Sequence, residues 1–151
     1  MAFTRIDLGA NVRKNMIGQL NQRLADAIDL AGQCKQAHWN VKGPQFIALH
    51  ELFDTFYTNV TGHVDELAER ITALGGTARG TTQTVAKATS LPEYDEEITS
   101  GESHLKALGA SLAAFGKSVR ANIDDADKAG DKDTADLFTG ASGLLFSTCA
   151  Q

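Results

Sequence analysis

Cysteine and proline are scarce in this sequence, and long apolar runs are missing. Two cysteines, Cys34 and Cys149, are too few for a disulfide framework, so a reducing cytosol is the expected setting. The first residues, MAFTRIDLGANVRKN, lack the apolar stretch of a signal peptide, and no apolar run approaches the ~20 residues of a membrane span. A cytoplasmic protein, away from any membrane, is therefore expected. Positive charge is also short. A formal net charge of −5 argues against a chain that works mainly by binding nucleic acid, because Lys and Arg carry phosphate contact. Acidic balance suits a protein that attracts cations. With two prolines, Pro44 and Pro92, long stretches are free of helix breakers.

What is present is helical periodicity in one domain of 151 residues. Residues 1–10 read as a short, loosely held arm, and residues 11–151 as a helical domain. A first helix from Asn11 to about Trp39 carries Ile17, Leu20, Leu24, Ile28, Ala31 and Cys34 on one stripe. Asn40 to Pro44 is a turn, with Pro44 suited to the first turn of a second helix. That helix carries Phe46, Phe53, Val60, Val64, Leu67, Ile71 and Leu74, and stops at Gly75-Gly76. A long connection over 75–98 contains TTQTVAKA, a short-helix segment. The third helix, about Ser100 to Ala126, would bury Leu105, Leu108, Leu112, Phe115, Val119 and Ile123. An acidic break, Asp124 to Asp131, precedes a fourth helix from about Asp133 with Ala135, Phe138, Ala141 and Leu145. The pattern predicts an all-α four-helix bundle with one long crossover.

Five side chains carry the candidate chemistry: His38, His50, Asp54, Asp65 and Glu69. Four lie on the second helix as two i,i+4 pairs. At about 100° per residue, with His50 at zero, Asp54 falls near 40°, Asp65 near 60° and Glu69 near 100°, one stripe. Imidazole with carboxylate suits a first-row transition metal such as iron. Yet Asp54 and Asp65 stand roughly 16 Å apart along a straight helix at ~1.5 Å per residue, and metal–ligand bonds are near 2 Å. One chain cannot close both pairs on one metal.

Two-fold symmetry removes the difficulty. His50/Glu69 and Asp54/Asp65 share one midpoint, between Asn59 and Val60. An antiparallel symmetry mate would bring each pair together, and an isologous contact makes two such sites. Thr58, Thr61 and Gly62 on the stripe are small enough for close approach. Against this, surface i,i+4 polar pairs are common and mostly face water, and the arithmetic alone does not choose. The zinc-protease pattern fails, since His50-Glu51-Leu52-Phe53-Asp54 lacks the second His. The Glu-x-x-His pairs of larger di-iron bundles are absent too.

These residues sit in a recognisable context. The segment from Lys35 to Gly76, with AHWN and HVDELAER, resembles the signature region of the Dps family, the bacterial mini-ferritins. The likeness extends through Gly80–Gln83 and Asp133–Ser142. It implies a ferritin-like fold and a hollow shell of twelve subunits. It also implies ferroxidase sites at two-fold interfaces, with His38, His50 and Asp54 from one subunit and Asp65 and Glu69 from the other. Trp39 matches a tryptophan beside that site, a carrier or trap of electrons; a plain core aromatic is the equal alternative. Arg70 matches a family position and is read as structural, with pairing across the interface as one form that role could take.

The implied activity is oxidation of Fe(II), by hydrogen peroxide in preference to oxygen, and storage of Fe(III) mineral, which protects the cell and its DNA. Zn(II) is a second metal for the same site. Asp127, Asp131 and Asp136 are candidates for lining an iron-entry pore, although an acidic helix start explains each equally well. Two features depart from the family pattern. The first fourteen residues hold only Arg5, Arg13 and Lys14 as basic groups, so DNA binding is expected to be weak or absent, against the alternative of a nucleoid protein that shields DNA by direct contact. After Ser142 the chain ends on GLLFSTCAQ, which implies a shorter last helix.

Overall fold

A computed structural model describes the backbone of residues 1–149 and the side chains of residues 1–143. Its elements are α1 (Ala10–Asn40), α2 (Phe46–Ala73), α3 (Thr82–Ala88), α4 (Gly101–Lys128) and α5 (Lys132–Cys149). Four are long and one is short, which is the all-α bundle with a crossover that periodicity predicts. Pro44 stands just outside α2, before its cap at Gln45, rather than within its first turn. The third helix continues through Asp124 and Asp125 to Lys128, because Asp/Ala/Lys sequences are tolerated on an exposed helical face.

Two glycines set the helix ends. Gly75 has φ +85 and Gly130 has φ +80, a conformation that L side chains rarely adopt. At the end of α2, Gly76 N–H donates to Ile71 O at 2.9 Å and Gly75 N–H to Thr72 O at 2.9 Å. At the end of α4, Asp131 N–H donates to Ala126 O at 3.0 Å and Gly130 N–H to Asp127 O at 3.1 Å. Both are Schellman closures, which satisfy the last carbonyls of each helix.

Chain direction follows from three contacts. α1 and α2 form an antiparallel hairpin. Lys42 in its turn donates to Thr99 O at 2.8 Å, so the crossover returns to the hairpin end before α4 begins. Arg70 near the end of α2 meets Asp131 at the start of α5. The order is therefore up, down, down, up, with α3 in the crossover.

The main core joins Leu20, Leu24, Leu30, Leu67, Ile71, Leu112, Phe115, Val119 and Phe138. A second cluster, Cys34, Ala37, Val41, Leu49, Phe53, Phe56 and Leu108, fills the hairpin end. Leu105 and Phe46 depart from their predicted burial, being 42% and 39% exposed in the single chain. Leu145 lies outside the described side chains. The N-terminal arm is tied down rather than loose. Ala2 N–H donates to Gly75 O at 2.8 Å, and Thr4 Oγ1 donates to Ala73 O at 2.8 Å. Arg13 donates to Leu8 O and Leu74 O. Among the described residues no helix is long and apolar enough to cross a membrane.

Candidate metal centre

The α1–α2 hairpin brings His38, in the last turn of α1, against His50, in the second turn of α2. Their rings stack with centroids 3.7 Å apart and planes 19° from parallel. Each ring bonds the other's main chain: His38 Nδ1 lies 2.6 Å from His50 O, and His50 Nδ1 lies 2.8 Å from His38 O. A carbonyl only accepts, so both Nδ1 atoms carry the proton and donate. In the neutral rings both Nε2 atoms are then bare lone pairs, the form that binds a metal. Phe46 stacks on His50 at 4.9 Å and limits its rotation.

Asp54 lies one turn beyond His50 and is half-exposed. Lys35 donates a hydrogen bond to its carboxylate and sits 4.6 Å above the Tyr57 ring. That hydrogen bond, then the charge of Lys35 with His38 and His50 beside it, holds the Asp54 carboxyl below the usual carboxylate range. Lys35 and Tyr57 are neighbours that the sequence pattern did not single out, and Phe46 was read from it only as a core position. Only the position of Lys35 one turn before His38 hinted at its role.

Asp65 and Glu69 are exposed on the same helix, and their carboxylates make no hydrogen bond or ion pair among the described residues. The structure thus brings His38, His50 and Asp54 to one patch and leaves Asp65 and Glu69 apart from it. Among the described residues no three His, Cys, Asp or Glu side chains gather closely enough to hold a metal ion. Trp39 is 68% exposed, which removes the core-aromatic reading. With Ile28, Lys35, Tyr57, Thr61 and Val64 it lines a surface groove of about 460 Å³ between α1 and α2. Thr61 is on the stripe of candidate residues, so the groove and those candidates share a face.

The pore candidates separate. Asp136 is exposed, and Asp127 is exposed and paired with Lys132. Asp131 is corrected: it is 2% exposed and fully engaged. It accepts from Arg70 at 2.7 Å, from the Thr134 N–H at 3.0 Å and from Thr134 Oγ1 at 2.5 Å, so it caps α5 and anchors it to α2. Buried inside its own chain, it offers no carboxylate to a pore. The structural reading of Arg70 holds within the chain, where its guanidinium bonds Asp131 and Thr134 at the start of α5.

A Ferritin-like domain family model matches residues 17–142. A DNA protection during starvation protein of Agrobacterium fabrum is 50% identical over 139 residues, spanning 92% of this chain and 86% of that relative. The chain belongs to the Dps family of ferritin-like proteins. Solved Dps structures carry the same fold. Mycobacterium smegmatis Dps superposes with TM-score 0.92 at 30% identity, covering 98% of this chain and 89% of that one. Vibrio cholerae Dps gives TM-score 0.90 at 26% identity, covering 99% and 96%. The Vibrio protein is described as a member of a broad superfamily of ferritin-like diiron-carboxylate proteins. The ferritin-like fold and the family, both implied by the segment from Lys35 to Gly76, hold.

Proposed function

We propose that this Dps chain binds Fe(II) at sites completed by a second copy of itself, oxidises it, and stores Fe(III) mineral inside a shell of twelve subunits. His38, His50 and Asp54 supply one side of each site, and Asp65 and Glu69 of the two-fold mate supply the other. The observation that carries this reading is the reciprocal His38–His50 lock. Rings that only filled a surface would not need both Nδ1 atoms fixed and both Nε2 atoms left bare. The exposed Asp65 and Glu69 are suited to meet a mate.

Iron is the substrate. Two Fe(II) and one hydrogen peroxide, with two protons, give two Fe(III) and two waters, and the two-electron step forms no hydroxyl radical. The chain supplies anionic ligands that favour Fe(III) over Fe(II) and a container for the product. Trp39 stands beside the site as an electron carrier or trap. Asp127 and Asp136 are the acidic groups left to line an entry path. Protection of the cytoplasm, and of DNA within it, follows from removing Fe(II) and peroxide together.

The test is anaerobic Fe(II) loading of the assembled protein followed by stoichiometric peroxide, read by Fe(III) absorbance. The wild type should oxidise iron fast, and faster than with oxygen. His50→Ala/Asp54→Ala should lose most of the rate, and Zn(II) added first should block it. Equal rates in wild type and variant would reject the site.

A further inference from the structure

Behind the hairpin that carries the proposed ligands lies a second pair of oxidisable and basic groups. Tyr94, in the crossover after α3, places its hydroxyl 2.5 Å from Nδ1 of His104 in the first turn of α4. The two rings stack at 6.0 Å with planes 18° apart. His104 is 1% exposed, and its Nε2 has no hydrogen-bond partner of good geometry. The Phe53 and His104 rings meet edge to face, with centroids 6.2 Å apart. Tyr94 packs on the cluster of Cys34, Ala37, Phe53 and Leu108. Ala37 directly precedes His38, and Phe53 directly precedes Asp54. One shared core cluster therefore joins the pair to the iron patch.

A phenol that loses an electron in a half-buried site cannot keep its proton cheaply, since a charge there is poorly solvated. A hydrogen-bonded base at 2.5 Å takes the proton in the same event and leaves a neutral radical. We propose that Tyr94, half-buried against the buried His104, forms with it an electron donor for the iron site, used when a single Fe(II) is available to reduce hydrogen peroxide. This rests on the ferroxidase reading above. Burial pushes the Tyr94 phenol up to about 12, so phenolate is not the resting form. Burial also lowers the His104 pKa, against a smaller opposing effect of the Ile98 carbonyl, and so leaves the ring neutral and able to accept.

The step balances. Fe(II) gives one electron and Tyr94 gives the other. The phenolic O–H bond breaks and its proton moves to His104 Nδ1. Hydrogen peroxide takes both electrons and two solvent protons, its O–O bond breaks, and two waters form. The products are Fe(III), a neutral tyrosyl radical and an imidazolium. Without the pair, the second oxidising equivalent would leave as hydroxyl radical.

The chain has two tyrosines, Tyr57 and Tyr94, so the radical can be assigned. Assembled protein receives one Fe(II) per site, then peroxide, and is freeze-quenched for electron paramagnetic resonance. A tyrosyl signal that narrows with ring-deuterated tyrosine is expected. It should vanish in Tyr94→Phe, persist in Tyr57→Phe, and fall several-fold in His104→Gln, which keeps the burial but lacks the base. With two Fe(II) per site, Tyr94→Phe should oxidise iron at the wild-type rate. A signal that survives in Tyr94→Phe, or none while iron is oxidised, overturns the proposal. No Fe(III) in the two-iron control would instead sink the ferroxidase reading. Flash photo-oxidation of metal-free protein then judges the pair alone: a radical on Tyr94 supports it, and one on Tyr57 overturns it.

Discussion

His38 and His50 hold each other by exchanging side chain for main chain: each imidazole donates to the backbone carbonyl of the other. One residue ends α1 and the other begins α2, so the lock also fixes the hairpin. In the neutral rings both protons must sit on Nδ1. Two-bond nitrogen–proton correlations on histidine-labelled, metal-free protein should show the Nδ1–H tautomer for both. A neutral Nε2–H form at either ring would remove the argument that these nitrogens are ready for a metal.

Lys35 is the cation that holds Asp54 in the metal-free chain, and the proposed metal would have to displace it. Its hydrogen bond and charge favour the ionised carboxylate, so removing them raises the Asp54 pKa. In Lys35→Met, a carbon-detected carboxyl titration should place the Asp54 midpoint above the wild-type value. The sign for stability follows. A depressed folded pKa contributes stability above the unfolded value of about 4, lost as pH falls through the folded value. Lys35→Met should therefore lose less stability on acidification than wild type. Asp54 is half-exposed, so solvent screens the effect. An unmoved midpoint would show that Lys35 does not govern this carboxylate.

Arg70 and Asp131 join α2 to α5 in a nearly dry setting, with side chains 13% and 1% exposed. Arg70→Leu would leave the Asp131 carboxylate buried with its cap to Thr134 but no counter-charge. A loss of about 3–5 kcal/mol is expected for a broken buried pair, measured by denaturant unfolding at fixed protein concentration. Arg70→Leu/Asp131→Asn removes the stranded charge and should recover much of that loss. If the double variant is no better than the single, the damage lies in packing rather than charge.

The helices were legible because Leu20, Leu24, Leu67, Ile71, Leu112 and Phe115 repeat every third or fourth residue, and because Gly75 and Gly130 can take the positive φ of a closure. The candidate stripe was legible for the same reason, since helical phase alone aligns His50, Asp54, Asp65 and Glu69 on α2. What phase does not encode is the partner in space. Asp131 reads as one more acid in an acidic loop until Arg70, 61 residues away, is folded onto it. His104 looked solitary, yet it precedes Leu108, Ser111 and Phe115 on one buried face, so its burial could have been read. Its link to Tyr94 could not, because an irregular crossover has no period. Leu105 sits one step round the helix from that face and stays exposed in the single chain.

DNA contact should be weak or absent. Arg13 is engaged by the carbonyls of Leu8 and Leu74, which leaves Arg5 and Lys14 as the free basic groups among the first fourteen residues. Twelve copies would carry a formal charge of about −60, and phosphate would be repelled. Purified protein should fail to retard a plasmid in a gel at about 50 mM salt, where phosphate contacts are strong. Retardation there would restore direct DNA shielding as a function.

The proposed two-fold site makes its own complementation test. His50→Ala/Asp54→Ala subunits lack one side of each site, and Asp65→Ala/Glu69→Ala subunits lack the other. Each variant alone should be nearly inactive in peroxide-driven iron oxidation. In a two-fold dimer of one variant with the other, one site collects both defects, while the second draws every ligand from intact sides. Co-refolding the two in equal amounts makes half of the dimers mixed, so about a quarter of the wild-type sites should return. If each site belonged to a single chain, mixing would restore nothing, because every chain carries a lesion. Activity that stays at the level of the separate variants, in shells shown by mass to contain both, would refute the two-fold site and with it the pairing of His50 with Glu69 and Asp54 with Asp65.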